Sequence, residues 1–287
     1  MKISDADKNN EPTQMNPKKP TADKMQTNKK YKISEGIEVL ENEILQNYPK
    51  VLEILLYDQT TQQNIFWATD NYKQLGEAYQ FSSQIIPELI TGEKNKIIMP
   101  RVKKEKELQQ ARVKDMAEVF TPSWICNAQN NLIDSAWFGK QNVFNEEIPA
   151  TNGMRTWEVN KEKITFPKGK TWKDYVYDTR LEMACGEAPY ITSRYDTTTG
   201  TFIEIEKRIG LLDRKLRIIN ENVDNPLEWM DFVQSAYENT YAFEWQGDSL
   251  LLAREAMLIS FIENYVYKFE KKPLIKLIEK IAKIISW

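Results

Sequence analysis

RLEMACGEAPYITSRYD, residues 180–196, decides how this chain reads. A short apolar run over 181–183 holds one acid, Glu182. It stops on three small residues, Ala184, Cys185 and Gly186, and then meets Pro189-Tyr190. The pattern predicts a strand that ends in a tight turn. In doubly wound sheets, ligands bind where strands end and helix N-termini aim their N–H groups outward. Small residues let the backbone approach a ligand, and an acid at the strand end can bridge to a polar ligand group. Glu182 is placed for that. The plain alternative is a surface acid at a strand end.

A second such pattern follows at 240–258, TYAFEWQGDSLLLAREAML. A strand is predicted over 241–245, ending in Glu244 and Trp245, with a helix over 249–261 after it. An acid at the tip of a second strand is how nucleotide-binding sheets hold a ribose diol. Trp245 has the character to cover a purine. Glu244 lies 62 residues after Glu182, against roughly 20 in ordinary nucleotide-binding sheets. A large insertion over 195–238 is therefore expected between the two strands.

Composition narrows the chemistry. The 287 residues are 41% hydrophobic, enough for a sizeable core in one or two domains. The chain has no histidine, which removes Ser-His and Cys-His catalysis and His-containing zinc sites. Two cysteines, Cys126 and Cys185, make no disulfide framework, and Cys185 reads as a small buried residue. No apolar run approaches membrane-spanning length, and the first thirty residues lack an apolar signal core, so the expectation is cytoplasmic. A net charge of -3 excludes a generally basic nucleic-acid coat but permits local basic patches.

Residues 1–33 are polar and read as a disordered tail. A helical region is expected over 34–114, starting at Ser34 as N-cap, interrupted at Pro49, and continuing as a small helical core over 59–92. Between 94 and 114 lie eight Lys/Arg, among them Arg101, Lys103, Lys104, Lys106, Arg112 and Lys114. They read as a phosphate-facing patch, or equally as an exposed helix laced with i,i+4 pairs. Arg208, Arg214, Lys215 and Arg217 form a second basic run. Thr121-Pro122 suits a helix start. The stretch 140–172 reads as loop, 197–200 (TTTG) as a turn, and 201–205 as another strand. Helices are expected over 207–220, 229–239 and the last fourteen residues, the last passing into a strand at Ile284 as one option.

These motifs carry a resemblance. LEMACGEAPY resembles the cofactor motif of amino-methylating DNA methyltransferases, hydrophobic-Glu-Pro-Ala-Cys-Gly-x-Gly-x-Phe-Leu. FTPSW at 120–124 resembles their Phe/Tyr-Thr-Pro motif in the gamma-like, adenine-N6 order. YAFEWQGDSLLLAR resembles their second acidic motif. More narrowly, residues 67–287 resemble a bacterial and phage group of restriction-system methylase subunits. The residues concerned are FWATDNY (66–72), AEVFTPSWICN (117–127), 180–200, RIGLLDRKLR (208–217) and 243–254.

The resemblance implies an α/β fold for residues 115–287: a Rossmann-like methyltransferase-type sheet with a long insertion. It implies S-adenosylmethionine-dependent adenine-N6 methylation of DNA in a restriction-modification or defence system. Phe120, Thr121 and Pro122 would flank the cofactor. Glu182, Ala184, Cys185 and Gly186 would line its amino-acid end, Glu244 would take the ribose, and Trp245 the adenine. DNA and a restriction or defence-system protein are the implied partners.

The chain departs from the pattern in three places. Ala188 stands at the second glycine of the cofactor loop, the acid-to-acid spacing is long, and there is no Asn/Asp-Pro-Pro-Tyr/Phe motif to grip a flipped base. In the resembling group the IISW run continues into Asn-x-Trp, so that motif is expected to follow Trp287, and the catalytic residues are unassigned. Two rivals follow. One is an inactive methyltransferase-like binding protein, such as a phage inhibitor of a host defence. The other is a Mg-dependent nuclease built on Asp196 and Asp213-Arg214-Lys215, although that run also reads as an amphipathic helix.

Overall fold

A computed structural model describes residues 44, 47–94, 96–104, 121–150 and 155–287. The expected tail, the helix start at Ser34 and the basic residues Lys106, Arg112 and Lys114 lie outside the described residues, as does Phe120.

The first described element is helix α1, Pro49–Leu56, with proline in its first turn, where no N–H is missed. Val51, Leu52, Leu55 and Leu56 are fully buried, as their spacing predicts. The expected helical core over 59–92 is instead an irregular aromatic cluster. It holds a small antiparallel pair, β1 (Tyr57–Asp58) and β2 (Gln63–Asn64), some 3-10 turns, and one helical turn, α2 (Pro87–Ile90). Its order comes from ring packing. Trp67 lies 4.7 Å from Tyr72 and 5.3 Å from Tyr79, and its indole N–H donates to Ala78 O.

Helix α3, Ser123–Phe138, starts one residue later than a Thr121 cap would have it. Its cap comes from afar: Asp196 Oδ2 accepts the Ser123 N–H at 2.7 Å. The stretch expected to be loop contains a hairpin, β3 (Asn145–Pro149) and β4 (Arg155–Val159), with Asn145 opposite Val159. Helix α4, Trp172–Tyr177, opens on a capping box between Thr171 and Asp174.

Next comes the predicted strand, β5 (Arg180–Met183), which pairs in parallel with β6 (Thr240–Phe243), Glu182 facing Ala242. The crossover between them, where the insertion was expected, is built on two helices. These are α5 (Leu211–Asn222) and α6 (Pro226–Glu238). Asn225 caps α6 through the Leu227 and Glu228 N–H groups. The expected strand over 201–205 is a single bridge, Tyr195 to Phe202. There Asp196 Oδ1 accepts the N–H groups of Thr198 and Thr199 and bends the chain.

After β6, helix α7 (Gly247–Phe269) runs through the core, buried on nearly all sides. Helix α8 (Ile275–Ile285) packs against α1 and α7 and stays helical at Ile284. Arg254 of α7 ties these elements together, donating to Leu55 O and Ser286 O.

The class is α/β in the coarse sense of helices with small sheets. The Rossmann-like sheet is not displayed: the described residues form three two-stranded sheets, one of them parallel. Parallel strands are normally covered on both faces. Here Leu181, Met183, Tyr241 and Phe243 are all about half exposed or more.

Candidate functional site

The two predicted acids sit at the ends of neighbouring parallel strands. The β5–β6 ladder continues two residues past the end of β5, with Cys185 N–H donating to O of Phe243, the last residue of β6, at 2.9 Å. The chain then turns sharply. Ala184, Gly186 and Ala188 all take left-handed backbone, at φ of 51°, 55° and 55°. That explains a glycine preference on the loop by conformation alone. Ala188 adopts the same geometry with a buried methyl group, and an added Cβ on Gly186 would meet open space.

Glu244 holds this turn. Its Oε2 accepts the Gly186 N–H at 2.7 Å, and its Oε1 accepts those of Trp245 and Gln246 at 2.9 and 3.0 Å. Glu182 differs. Its Oε2 is buried and has no hydrogen-bond partner. Burial pushes its carboxyl up to about 8; the Tyr190 and Ile191 N–H groups pull the other way, and the Glu244 charge adds to the rise. Two carboxylates in one environment thus differ in character, one nested in N–H donors and one short of a donor.

The Thr121-Pro122 loop arrives beside this pair. Thr121 O accepts from the Cys126 thiol at 3.7 Å and from the Thr197 hydroxyl at 3.2 Å, and the Thr121 and Cys126 side chains interact with the Tyr190 hydroxyl. Burial, aided by Glu182, pushes the Cys126 thiol up to about 12, and burial raises Cys185 further still. Both cysteines are therefore thiols that pack rather than react.

Trp245 is three-quarters exposed beside a cavity of about 360 Å³ that it shares with Phe66, Ala68 and Phe81. The FWATDNY segment thus meets the second acidic motif. Gly247 N–H donates to Trp67 O, and Tyr72 donates its hydroxyl to Asp248 Oδ2 at 2.7 Å.

The basic residues behave otherwise than expected. Arg214 is buried, pairs with Asp134 Oδ2 at 2.5 Å and reaches Asn127 and Asn131. Lys215 is fully buried, and its ammonium spans Asp178 O and Asn239 O, the residues that lead into β5 and β6. Burial pulls it down to about 7. Arg208 pairs with Glu263, Arg217 holds Glu221 and three backbone oxygens, and Lys104 lies 3.5 Å from buried Asp248. These five side chains face inward, because each answers a carboxylate or carbonyl the fold has buried. They are not a phosphate-facing surface. Arg101 is half-buried and Lys103 exposed, on the 3-10 turn Arg101–Lys103.

The nuclease constellation also dissolves. Asp213 Oδ2 caps α5 by accepting from Ser193 and Gly210, Asp196 is spent on Ser123 and its own turn, and Lys215 points to the strand starts.

Sequence reasoning missed Glu187, the residue after Gly186. It is buried, accepts the Arg101 N–H at 2.7 Å and takes the Tyr195 hydroxyl at 2.5 Å. Its place at the variable position of the loop motif gave no signal. It also missed Asp196 as the remote cap of α3. Comparisons of the chain with protein-family models, with curated proteins and with solved structures give no match.

Proposed function

We propose that residues 121–287 form the cofactor-holding part of an S-adenosylmethionine-dependent DNA adenine-N6 methyltransferase of a restriction-modification or defence system, with β5 and β6 as the heart of a Rossmann-like sheet. The observation that supports this reading is convergence. Three motifs spread over some 120 residues meet at the tips of two parallel strands, joined by the Gly186–Glu244 hydrogen bond and by the Thr121–Tyr190 contact.

The residues present fit the cofactor. Glu182 keeps a buried oxygen that lacks a donor, a demand that a ligand ammonium would meet once the turn over it shifts to admit the ligand. Ala184 and Gly186 leave room for a close approach by the methionine moiety, and exposed Trp245 offers an aromatic face for the adenine. Glu244 keeps accepting capacity beyond its three N–H donors, since a carboxylate has about four lone-pair sites, and so can reach a ribose hydroxyl. The bound cofactor would supply an electrophilic methyl group. This chain's residues bind and orient it and keep water from Glu182. No residue is assigned to the methyl transfer, and the DNA partner rests on the resemblance.

Photo-crosslinking tests the reading. Ultraviolet irradiation with methyl-labelled S-adenosylmethionine should label peptides spanning 182–190 or 241–246, and excess S-adenosylhomocysteine should suppress that labelling. Labelling elsewhere, or none by the folded chain, would reject it.

A further inference from the structure

One strongly basic patch plays no part in the strand-tip site. Residues 270–283 hold five lysines against two glutamates, in a chain whose net charge is -3. Lys271 and Lys272 stand in the turn between α7 and α8, and Lys276, Lys280 and Lys283 stand on α8. All five are exposed, and none of their ammonium groups has a hydrogen-bond or ion-pair partner among the described residues. They differ in this from Arg208, Arg214, Lys215 and Arg217, which the fold has already engaged.

The helix arranges them. At 3.6 residues per turn, Lys276, Lys280 and Lys283 fall within about 60° of one another around the axis, in a row roughly 10 Å long. Glu279 is half-buried on the flank of that row. Ile278, Ile281 and Ala282 turn the other way and are fully buried where α8 packs against α1, α6 and α7.

An anionic bilayer, an acidic protein and a nucleic acid all offer negative charge to such a row. A helix that lies on a bilayer needs its apolar face free. That of α8 is committed to the core, and its exposed apolar residues, Leu274, Ile275 and Trp287, lie at its two ends. Protein interfaces centre on apolar and aromatic side chains and are depleted in lysine. The row has no such centre. A nucleic-acid duplex asks for neither feature. It presents repeated phosphates, which point charges on flexible stems neutralise whatever the sequence.

We propose that the lysine row of α8, with the turn before it, is a sequence-independent contact for the phosphate backbone of a nucleic-acid duplex. Trp287, just past α8, lines one groove with Phe243 and Glu244, so the row leads towards the tip of β6. The proposal rests on charge and burial and not on the methyltransferase reading.

Fluorescence anisotropy tests it, with the whole chain titrated into a labelled 20-base-pair DNA duplex, and into its RNA counterpart, between about 25 and 200 mM salt. The expected slope of log K against log[salt] is about -4, for five lysines at the duplex. The triple variant Lys276→Gln, Lys280→Gln, Lys283→Gln should bind about tenfold or more weakly at 50 mM salt, and its slope should be shallower by about 3. Glutamine keeps the helix propensity, and these side chains touch no core residue, so the variant should fold. The control variant Lys161→Gln, Lys163→Gln, Lys168→Gln changes three exposed lysines elsewhere and should leave the slope as it is. Binding of either duplex through the row supports the proposal, and the tighter of the two identifies the backbone it holds. A wild-type chain that binds neither duplex would overturn it. So would a triple variant with an unchanged slope, an equal loss in the control, or tighter binding to phosphatidylserine vesicles than to either duplex.

Discussion

Gly186 donates its N–H to Glu244 Oε2 at 2.7 Å, bridging 58 residues of sequence and locking the tips of two parallel strands together. The same carboxylate takes the Trp245 and Gln246 N–H groups, so one side chain organises both turns. Glu244→Ala strips an acceptor from three donors. Stability in urea should fall by about 1–3 kcal/mol, with the m-value unchanged. A loss below half a kcal/mol would mean water replaces the carboxylate freely.

Glu182 makes a pH prediction. Its folded carboxyl titrates near 8, above the ordinary 4.5, so the folded state binds the extra proton. Its stabilising contribution is complete below about pH 4.5 and is lost as pH rises through 8. Glu182→Gln should flatten the stability profile across that window and be the more stable form at its alkaline end. A parallel profile in the two proteins would contradict the assignment.

Glu263 has the opposite sign. Arg194 and Arg208 flank it at 2.9 and 2.5 Å and, against the effect of burial, hold its carboxyl down to about 2. That stability is present above the ordinary 4.5 and is lost as pH falls towards 2. Glu263→Gln leaves two buried guanidiniums short of a counter-charge and should cost about 3–5 kcal/mol at neutral pH. Guanidinium unfolding curves of the two proteins would measure it.

Two backbone positions make contrasting predictions. A Cβ on Gly247 would sit 1.9 Å from Phe66 O, so Gly247→Ala must force the α7 start away from residues 66–72, with an expected loss of more than 2 kcal/mol. Ala184 is exposed at φ 51°, so Ala184→Gly should relieve strain and gain about 0.5–1 kcal/mol. Thermal unfolding of both variants checks the pair, and equal shifts of the same sign would be wrong for it.

How much of this was legible in the sequence depends on the residue. The β5 and β6 strands stand within two residues of where apolar runs ending in acids put them, because that pattern is local. Helix α7 extends well beyond 249–261, since a helix buried on all sides shows no amphipathic edge to mark its ends. The β3–β4 hairpin was invisible, as Glu146, Glu147, Arg155 and Glu158 swamp its alternation. The basic run 208–217 misled because a charge count is blind to burial. Arg214 answers Asp134, which lies 80 residues earlier and meets it only in the fold. The position of Glu182 and Glu244 at the tips of neighbouring strands was legible; the difference between them was not, because it depends on how many N–H donors each carboxylate finds across the turn.

The most direct measurement is calorimetric titration of S-adenosylmethionine into the chain, run in two buffers of different ionisation heat below and above pH 8. The account predicts binding that strengthens with pH and releases a proton below pH 8, as Glu182 loses its proton to solvent and pairs as a carboxylate with the incoming ammonium. It also predicts that Glu182→Gln abolishes the proton release and that Glu244→Ala abolishes binding. A folded wild-type chain that takes up no S-adenosylmethionine, or one whose binding ignores both substitutions, would contradict it.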